Sequence, residues 1–339
     1  MHGSTRGFII GKPRRERITG LQGNAPARIA LLTSTVGNVM AKVATGVPVG
    51  IARTVEKRSW GLALWKTIKR KPMGAVAGFL IVLLVVTAIL AEVLAPYDPL
   101  DARPERRLTA PNWEHWFGTD DIGRDVLSRV IHGTRISLWV GLLAVGIGTF
   151  AGTIIGLISG YWEGWLDLLL QRVMDAVMAI PGLILALAIV SVLTPSTTNA
   201  MLAIAMVIIP GNSRIVRGAV LSAKQSPYVE AARALGCPHL RIIARHILPN
   251  VTAPILIIAS IWLGNAILIE ASLSFLGLGT QPPIPSWGLM LSSTGRAFME
   301  QAPWLAIFPG LAIGLTVLSF NLFGDTLRDI WDPKLRQPG

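Results

Sequence analysis

One cysteine, Cys237, stands in the whole sequence, so neither an internal disulfide nor a cysteine-based metal cluster can form. Charge is scarce as well: 15% of the 339 residues are Asp, Glu, Lys or Arg, against about 25% in soluble domains. The motifs of soluble chemistry are missing. There is no G-x-x-x-x-G-K-[ST], so the chain has no phosphate-cradling loop and is expected to bind no ATP or other cofactor itself. H-E-x-x-H and G-x-S-x-G are absent too. Asp120, Asp121 and Asp125 fail the calcium-loop spacing, because Gly123 and Arg124 fall where ligands belong. His239 and His246 sit in a basic stretch without a neighbouring carboxylate, which argues against zinc; no metal site is expected.

What is abundant is apolar sequence: 52% of residues are hydrophobic and the mean hydropathy is +0.55. The runs are long enough for membrane-spanning helices. Six are legible, at 74–95, 136–160, 166–193, from 200 to about 213, 251–275 and 304–324. The expected fold class is therefore an all-α membrane protein with six transmembrane helices. A net charge of +12 then reads as basic flanks drawn to anionic membrane lipid, not as a nucleic-acid footprint. Fourteen Lys or Arg and two acids precede the first span, whereas 96–135 holds six Arg against seven acids. The positive-inside rule puts the N-terminus in the cytoplasm and that second loop outside. Both termini then lie inside.

The organisation follows in order. Residues 1–58 form a basic, Gly-rich cytoplasmic extension, expected to be poorly ordered, with no compact apolar core of the kind a signal peptide has. An interfacial collar (Trp60, Trp65, Lys66, Lys69, Arg70, Lys71) leads into the first span, the pair occupying 59–95. Residues 96–135 form the external loop, 136–328 a five-helix core, and 329–339 a tail that includes Lys334 and Arg336. Gly148, Gly152, Gly156 and Gly160 recur every four residues and predict a helix face that another helix approaches closely. Arg172 and Asp175 are three apart in the third span and are expected to pair, while Pro181 kinks that span. Glu270, near the outer end of the fifth span, is expected to be either a gate element or a structural partner to backbone amides.

Within the core, 218–250 interrupts the apolar pattern. Its part 230–250 carries Arg233, Arg241 and Arg245 against one acid, Glu230. Pro227 suits a first helical turn, and Ala231 and Ala232 give a small-residue face for close approach. Gly236 supplies a left-handed break, Pro238 can start a second helix, and Pro249 ends it. The prediction is a helix–turn–helix knob just inside the membrane, shaped for a groove on a soluble partner.

These residues resemble the EAA loop of permeases of ABC importers. Glu230-Ala231-Ala232, Gly236 and Leu248-Pro249 fall in register, with His246 at the first Ile position of that pattern, as in the peptide/nickel branch. Phe117 to Asp120 with Gly123 to Arg129, and Glu270 to Gly279 with Gln281-Pro282-Pro283 and Pro285 to Gly288, are similar to the C-type permease of dipeptide, oligopeptide and nickel importers. So are Asn321 to Asp325 and Ala95 to Pro99. The likeness covers roughly 60–333.

The resemblance implies a type I ABC importer permease fold and half of a translocation pore in a bacterial plasma membrane. It implies four partners: a B-type permease subunit, two cytoplasmic ATPase subunits carrying ATP-Mg, and an extracytoplasmic substrate-binding protein. Glu230 and Arg233 would make polar contacts with the ATPase groove, and Ala231 and Ala232 the close approach. Gly236 would hold the turn and Leu248-Pro249 the re-entry into the membrane. Gly118, Asp120, Asp121, Arg124, Asp125, Glu270 and Trp287 would shape the outer gate or the binding-protein dock. Di- or oligopeptides are the expected cargo, with nickel chelates, glutathione and antimicrobial peptides as alternatives. The rival readings are an ion-coupled secondary transporter using Asp175 and Glu270, and a membrane scaffold.

Overall fold

A computed structural model describes residues 71–292 and 297–331. The extension 1–58, most of the collar, and Lys334 and Arg336 lie outside the described residues. Among the described residues the chain is helical, apart from one isolated antiparallel bridge between Thr119 and Asp125.

Helix α1 (Pro72–Ile89) begins on a proline, whose missing N–H costs nothing at a first turn. It gives way at Leu90 to a short α2 (Ala91–Leu94). A long excursion follows, containing one 3-10 turn at Pro104–Arg106. Helix α3 (Val126–Trp162) then runs for 37 residues, about 55 Å at the α-helical rise, longer than a hydrocarbon core of about 30 Å. It starts ten residues before the expected span because Asp125 caps it, accepting the Ser128 N–H at 2.8 Å.

The expected third span is two pieces, α4 (Gly164–Met178) and α5 (Gly182–Leu193), meeting at 89°. Pro181 is the N-cap of α5; the residue before a proline resists helical geometry, and the chain turns there. Helix α6 (Thr197–Lys224) carries Pro210 inside it and continues past the expected end. After α7 (Pro227–Ala234) and α8 (His239–Ile242), a π-helical turn at Ile243–Ile247 runs straight into α9 (Leu248–Phe275). Helices α10 (Trp287–Leu291) and α11 (Trp304–Trp331) complete the described chain. Among the described residues five helices are long and apolar enough to cross a membrane, or six if the bent α4–α5 pair counts as one.

The glycine stripe sets the central packing. Helix α3 lies against α6 more extensively than any other pair. A Cβ added at Gly148 or Gly152 would stand 2.8 Å from the carbonyl oxygens of Ala205 and Ile209 respectively, and one at Gly160 2.9 Å from Val220. The two backbones therefore touch along four turns, as the spacing predicts. Asn212 of α6 donates across the seam to the Thr149 carbonyl at 2.8 Å. Around this pair, α5 and α9 bury Val190, Ala266 and Leu273 with Val140 and Ile204. Helix α11 packs on α9, and α1 on α11 and α3; Lys71 and Asp329 pair at 2.5 Å across the α1–α11 ends.

Candidate functional site

The polar interruption folds as the sequence predicts in outline: two short helices hinged at Gly236. The hinge is a double carbonyl cap. Cys237 N–H bonds the Ala232 carbonyl at 3.1 Å and Gly236 N–H bonds the Arg233 carbonyl at 2.9 Å, the Schellman pattern. Gly236 sits at φ +73° with nothing within 4 Å of where a Cβ would be. Its glycine is required by backbone conformation and not by crowding.

Three details differ from expectation. Ala231 is exposed but Ala232 is buried in this chain's own core with Val216, Val220 and Val229. Successive helical residues point about 100° apart, so the pair cannot share one docking face. Arg233 is exposed at its rim, with its guanidinium stacked over the Tyr161 ring at 5.6 Å. Pro238 is the N-cap of α8 and not its first helical residue. Pro249 does not end the second helix. It lies in the first turn of α9, and the π turn before it takes up the clash that a proline ring makes with the carbonyl four residues back. Helix α8 and α9 thereby form one helical segment, His239–Phe275, with Leu248 half-buried and Pro249 exposed.

The outward face of the knob carries residues that sequence reasoning passed over. Leu235 is 84% exposed and Leu240 76%, with Tyr228, Glu230, Ala231 and Arg241 also exposed. Two large apolar side chains on either side of the glycine turn, ringed by charges, is the composition of a protein-binding patch. Helical spacing hides it: Leu240, Ile243 and Ile247 stand at i, i+3 and i+7, one face of a regular helix, yet Ile243 and Ile247 are buried and Leu240 is exposed.

The intramembrane pair is a correction. Asp175 bonds Arg214 of α6, not Arg172 on its own helix. Helix α4 turns Asp175 toward α6, where a cation from another helix meets it. Nearby, Arg217 grips Asp167 with two bonds, of 2.7 and 2.6 Å. Ser159 also donates to Asp167.

Of the residues expected at the outer gate or binding-protein dock, Gly118, Asp120, Asp125, Glu270 and Trp287 are buried, and Asp121 and Arg124 are half-buried. Gly118 adopts φ +73°, and the loop returns on itself at Gly123, φ +84°. Asp120 accepts the backbone N–H groups of Ile122 (3.1 Å) and Arg124 (2.9 Å) and pairs with Arg124 Nε at 2.6 Å. Asp125 is 3% exposed and meets His115 Nδ1 at 2.8 Å. Arg106 approaches the other ring nitrogen at 3.2 Å. An arginine can only donate, so Nδ1 of His115 carries the proton and donates to Asp125. Asp121 keeps a buried Oδ1 without a partner.

Trp287 is fully buried, donating from Nε1 to the Val130 carbonyl at 2.9 Å. Glu270, 1% exposed, accepts from Ser274 at 2.8 Å and Ser137 at 3.2 Å. Its partners are side-chain hydroxyls, where the structural one of the two expected roles called for backbone amides. Asp120, Asp125, Glu270 and Trp287 are thus held inside the chain, whereas Trp113, 96% exposed, and Trp116, 67% exposed, stand on the surface of the loop 96–125.

Comparison with known proteins gives this geometry a context. The family described as binding-protein-dependent transport system inner membrane component matches residues 152–337. The description N-terminal TM domain of oligopeptide transport permease C matches 59–111. The chain is 45% identical to the dipeptide transport system permease protein DppC of Alkalihalophilus pseudofirmus, over 80% of this chain and 89% of that one. It is 46% identical to the glutathione transport system permease protein GsiD of Escherichia coli, over 80% and 90%. A solved structure of the MetNI methionine ABC transporter in inward-facing conformations aligns with a TM-score of 0.46 at 21% identity, over 61% of this chain and 98% of that one.

Proposed function

The chain belongs to the family of binding-protein-dependent transport inner membrane components, and from that premise we propose that it is one permease subunit of an ATP-driven importer of short peptides. It is a multi-pass membrane subunit. The cargo follows from its relatives, one named for dipeptides and another for glutathione, itself a tripeptide. The observation that carries the reading is the exposed Leu235–Leu240 face on a chain with no nucleotide-binding loop.

The mechanism follows from that face. Two cytoplasmic ATPase subunits hold ATP-Mg and close on each other. One receives the knob, with Leu235 and Leu240 filling its groove and Glu230 and Arg241 at the polar rim. Because α8 runs unbroken into α9, a push on the knob is delivered to a pore helix as a rigid lever. A related permease completes the pore, which switches between two packings. A substrate-binding protein delivers peptide to the outer face, where Trp113 and Trp116 stand exposed. The chain itself catalyses nothing. The knob lies on the cytoplasmic side of the bacterial inner membrane, with both termini on that side, as the excess of Lys and Arg there requires.

The reading is tested by purifying the tagged chain from membranes with its co-encoded partners. Retention of an ATPase subunit, and ATP-dependent uptake of a dipeptide or glutathione by vesicles, are expected. Uptake that survives ATP depletion but collapses with a protonophore would establish the ion-coupled alternative instead.

A further inference from the structure

Tyr161, the penultimate residue of α3, is 4% exposed. Both arms of the knob hold its ring. From α7, the Arg233 guanidinium lies 5.6 Å from the ring centroid. From α8, His239 sits edge-on, with Nδ1 2.7 Å from the phenol oxygen. The end of α6 joins them: Lys224 Nζ is 5.6 Å from the same centroid, and bonds the Tyr161 carbonyl at 2.6 Å and Glu163 at 2.7 Å.

Beside the ring, knob and pore helices share an aliphatic cluster: Val216, Val220, Val229, Ala232, Ile242 and Ile247. Apolar contact of that kind is non-directional and can slide. The phenol bond and the stacked cation have fixed geometry. Immediately beyond Tyr161 the backbone breaks, at Glu163 (φ +51°) and Gly164 (φ +69°), into α4. The ring therefore sits where a hinge, a long pore helix and both arms of the knob meet.

We propose that Tyr161 is the joint that transmits movement of the coupling knob to α3 and the α3–α4 hinge, acting as a positioning residue in transport. The inference rests on the reading of the knob as the ATPase contact. Through the chain, Tyr161 and the knob are connected only by way of α4, α5 and α6. The ring offers a direct route, and α3 passes the displacement along its glycine seam to α6.

The test uses the whole transporter, reconstituted with its permease partner, ATPase subunits and binding protein. ATP hydrolysis and uptake of radiolabelled alanyl-alanine or glutathione are measured together. Tyr161→Phe keeps the buried ring and its cations but loses the bond to His239. It should retain ATPase subunits and hydrolysis stimulated by the binding protein, while uptake per ATP falls about fivefold, the scale of one hydrogen bond. His239→Ala should do the same, and the double variant should fall no further than either single one. Tyr161→Leu, which also removes the cation stacking, should fall further. Equal loss of hydrolysis and uptake, additive losses in the double variant, or unchanged uptake per ATP in Tyr161→Phe would each overturn the proposal. If the wild-type chain itself retains no ATPase subunit, the reading of the knob fails, a result visible before any variant is made.

Discussion

Gly156 of α3 and Ser213 of α6 are so close that a Cβ at position 156 would stand 2.6 Å from the Ser213 carbonyl oxygen. No rotamer change relieves contact with a backbone atom, so the helices must separate if the residue grows. Gly156→Val should therefore destabilise the chain by about 1–3 kcal/mol. Thermal unfolding of the purified protein in detergent would read this as a lowered midpoint. Gly146 is the control: it lies on the same helix with nothing within 4 Å of its Cβ position, and Gly146→Ala should leave the midpoint in place. Equal effects at the two positions would contradict the close-approach account.

At Gly236 the constraint is conformational. A β-branched residue at φ +73° carries a penalty of about 1–2 kcal/mol, and relieving it swings the two arms apart. Gly236→Val should abolish uptake while membrane insertion and expression persist. Gly236→Asn should keep much of the activity, because asparagine tolerates the left-handed region. Normal uptake by the valine variant would remove the turn from the mechanism.

Asp125 does three things with one carboxylate: it caps α3, accepts the Ser128 hydroxyl at 2.7 Å, and accepts a hydrogen bond from His115 Nδ1–H. Asp125→Ala loses a cap worth about 1 kcal/mol and leaves a buried donor unpaired, a further cost of about 1–3 kcal/mol. Asp125→Asn keeps a cap acceptor but turns an N–H group toward another N–H, so it should recover only part. Thermal midpoints in the order wild type, Asn, Ala are expected, with ATPase retention unchanged because the site lies at the opposite end of the 37-residue α3 from the knob.

The fold was legible in the sequence wherever one physical rule acted alone. Long apolar runs gave the spans, and a four-residue glycine period gave the α3–α6 seam. Gly236 gave the hinge because only a left-handed turn asks for glycine between two helical segments. Where two rules competed, the sequence did not decide. Arg172 and Asp175 share a helix at pairing distance, yet Asp175 bonds Arg214, because a cation from a neighbouring helix is invisible to local spacing. Ala231 and Ala232 read as one small face although a helix must part them. Leu235, Leu240 and Tyr161 carry no motif at all. Their importance comes from exposure and convergence, which are properties of the folded chain.

The central claim is that the outward face of the knob is where a separate ATPase takes hold. The most direct measurement is copurification of the ATPase subunits with tagged wild-type chain and with Leu235→Asp/Leu240→Asp, both side chains being exposed so that the fold survives the change. A carboxylate in place of a buried apolar anchor should cost more than 2 kcal/mol of binding, a loss of at least about thirtyfold. The account predicts that the ATPase leaves the double variant while the permease stays folded in the membrane. Full retention of the ATPase by that variant would contradict it.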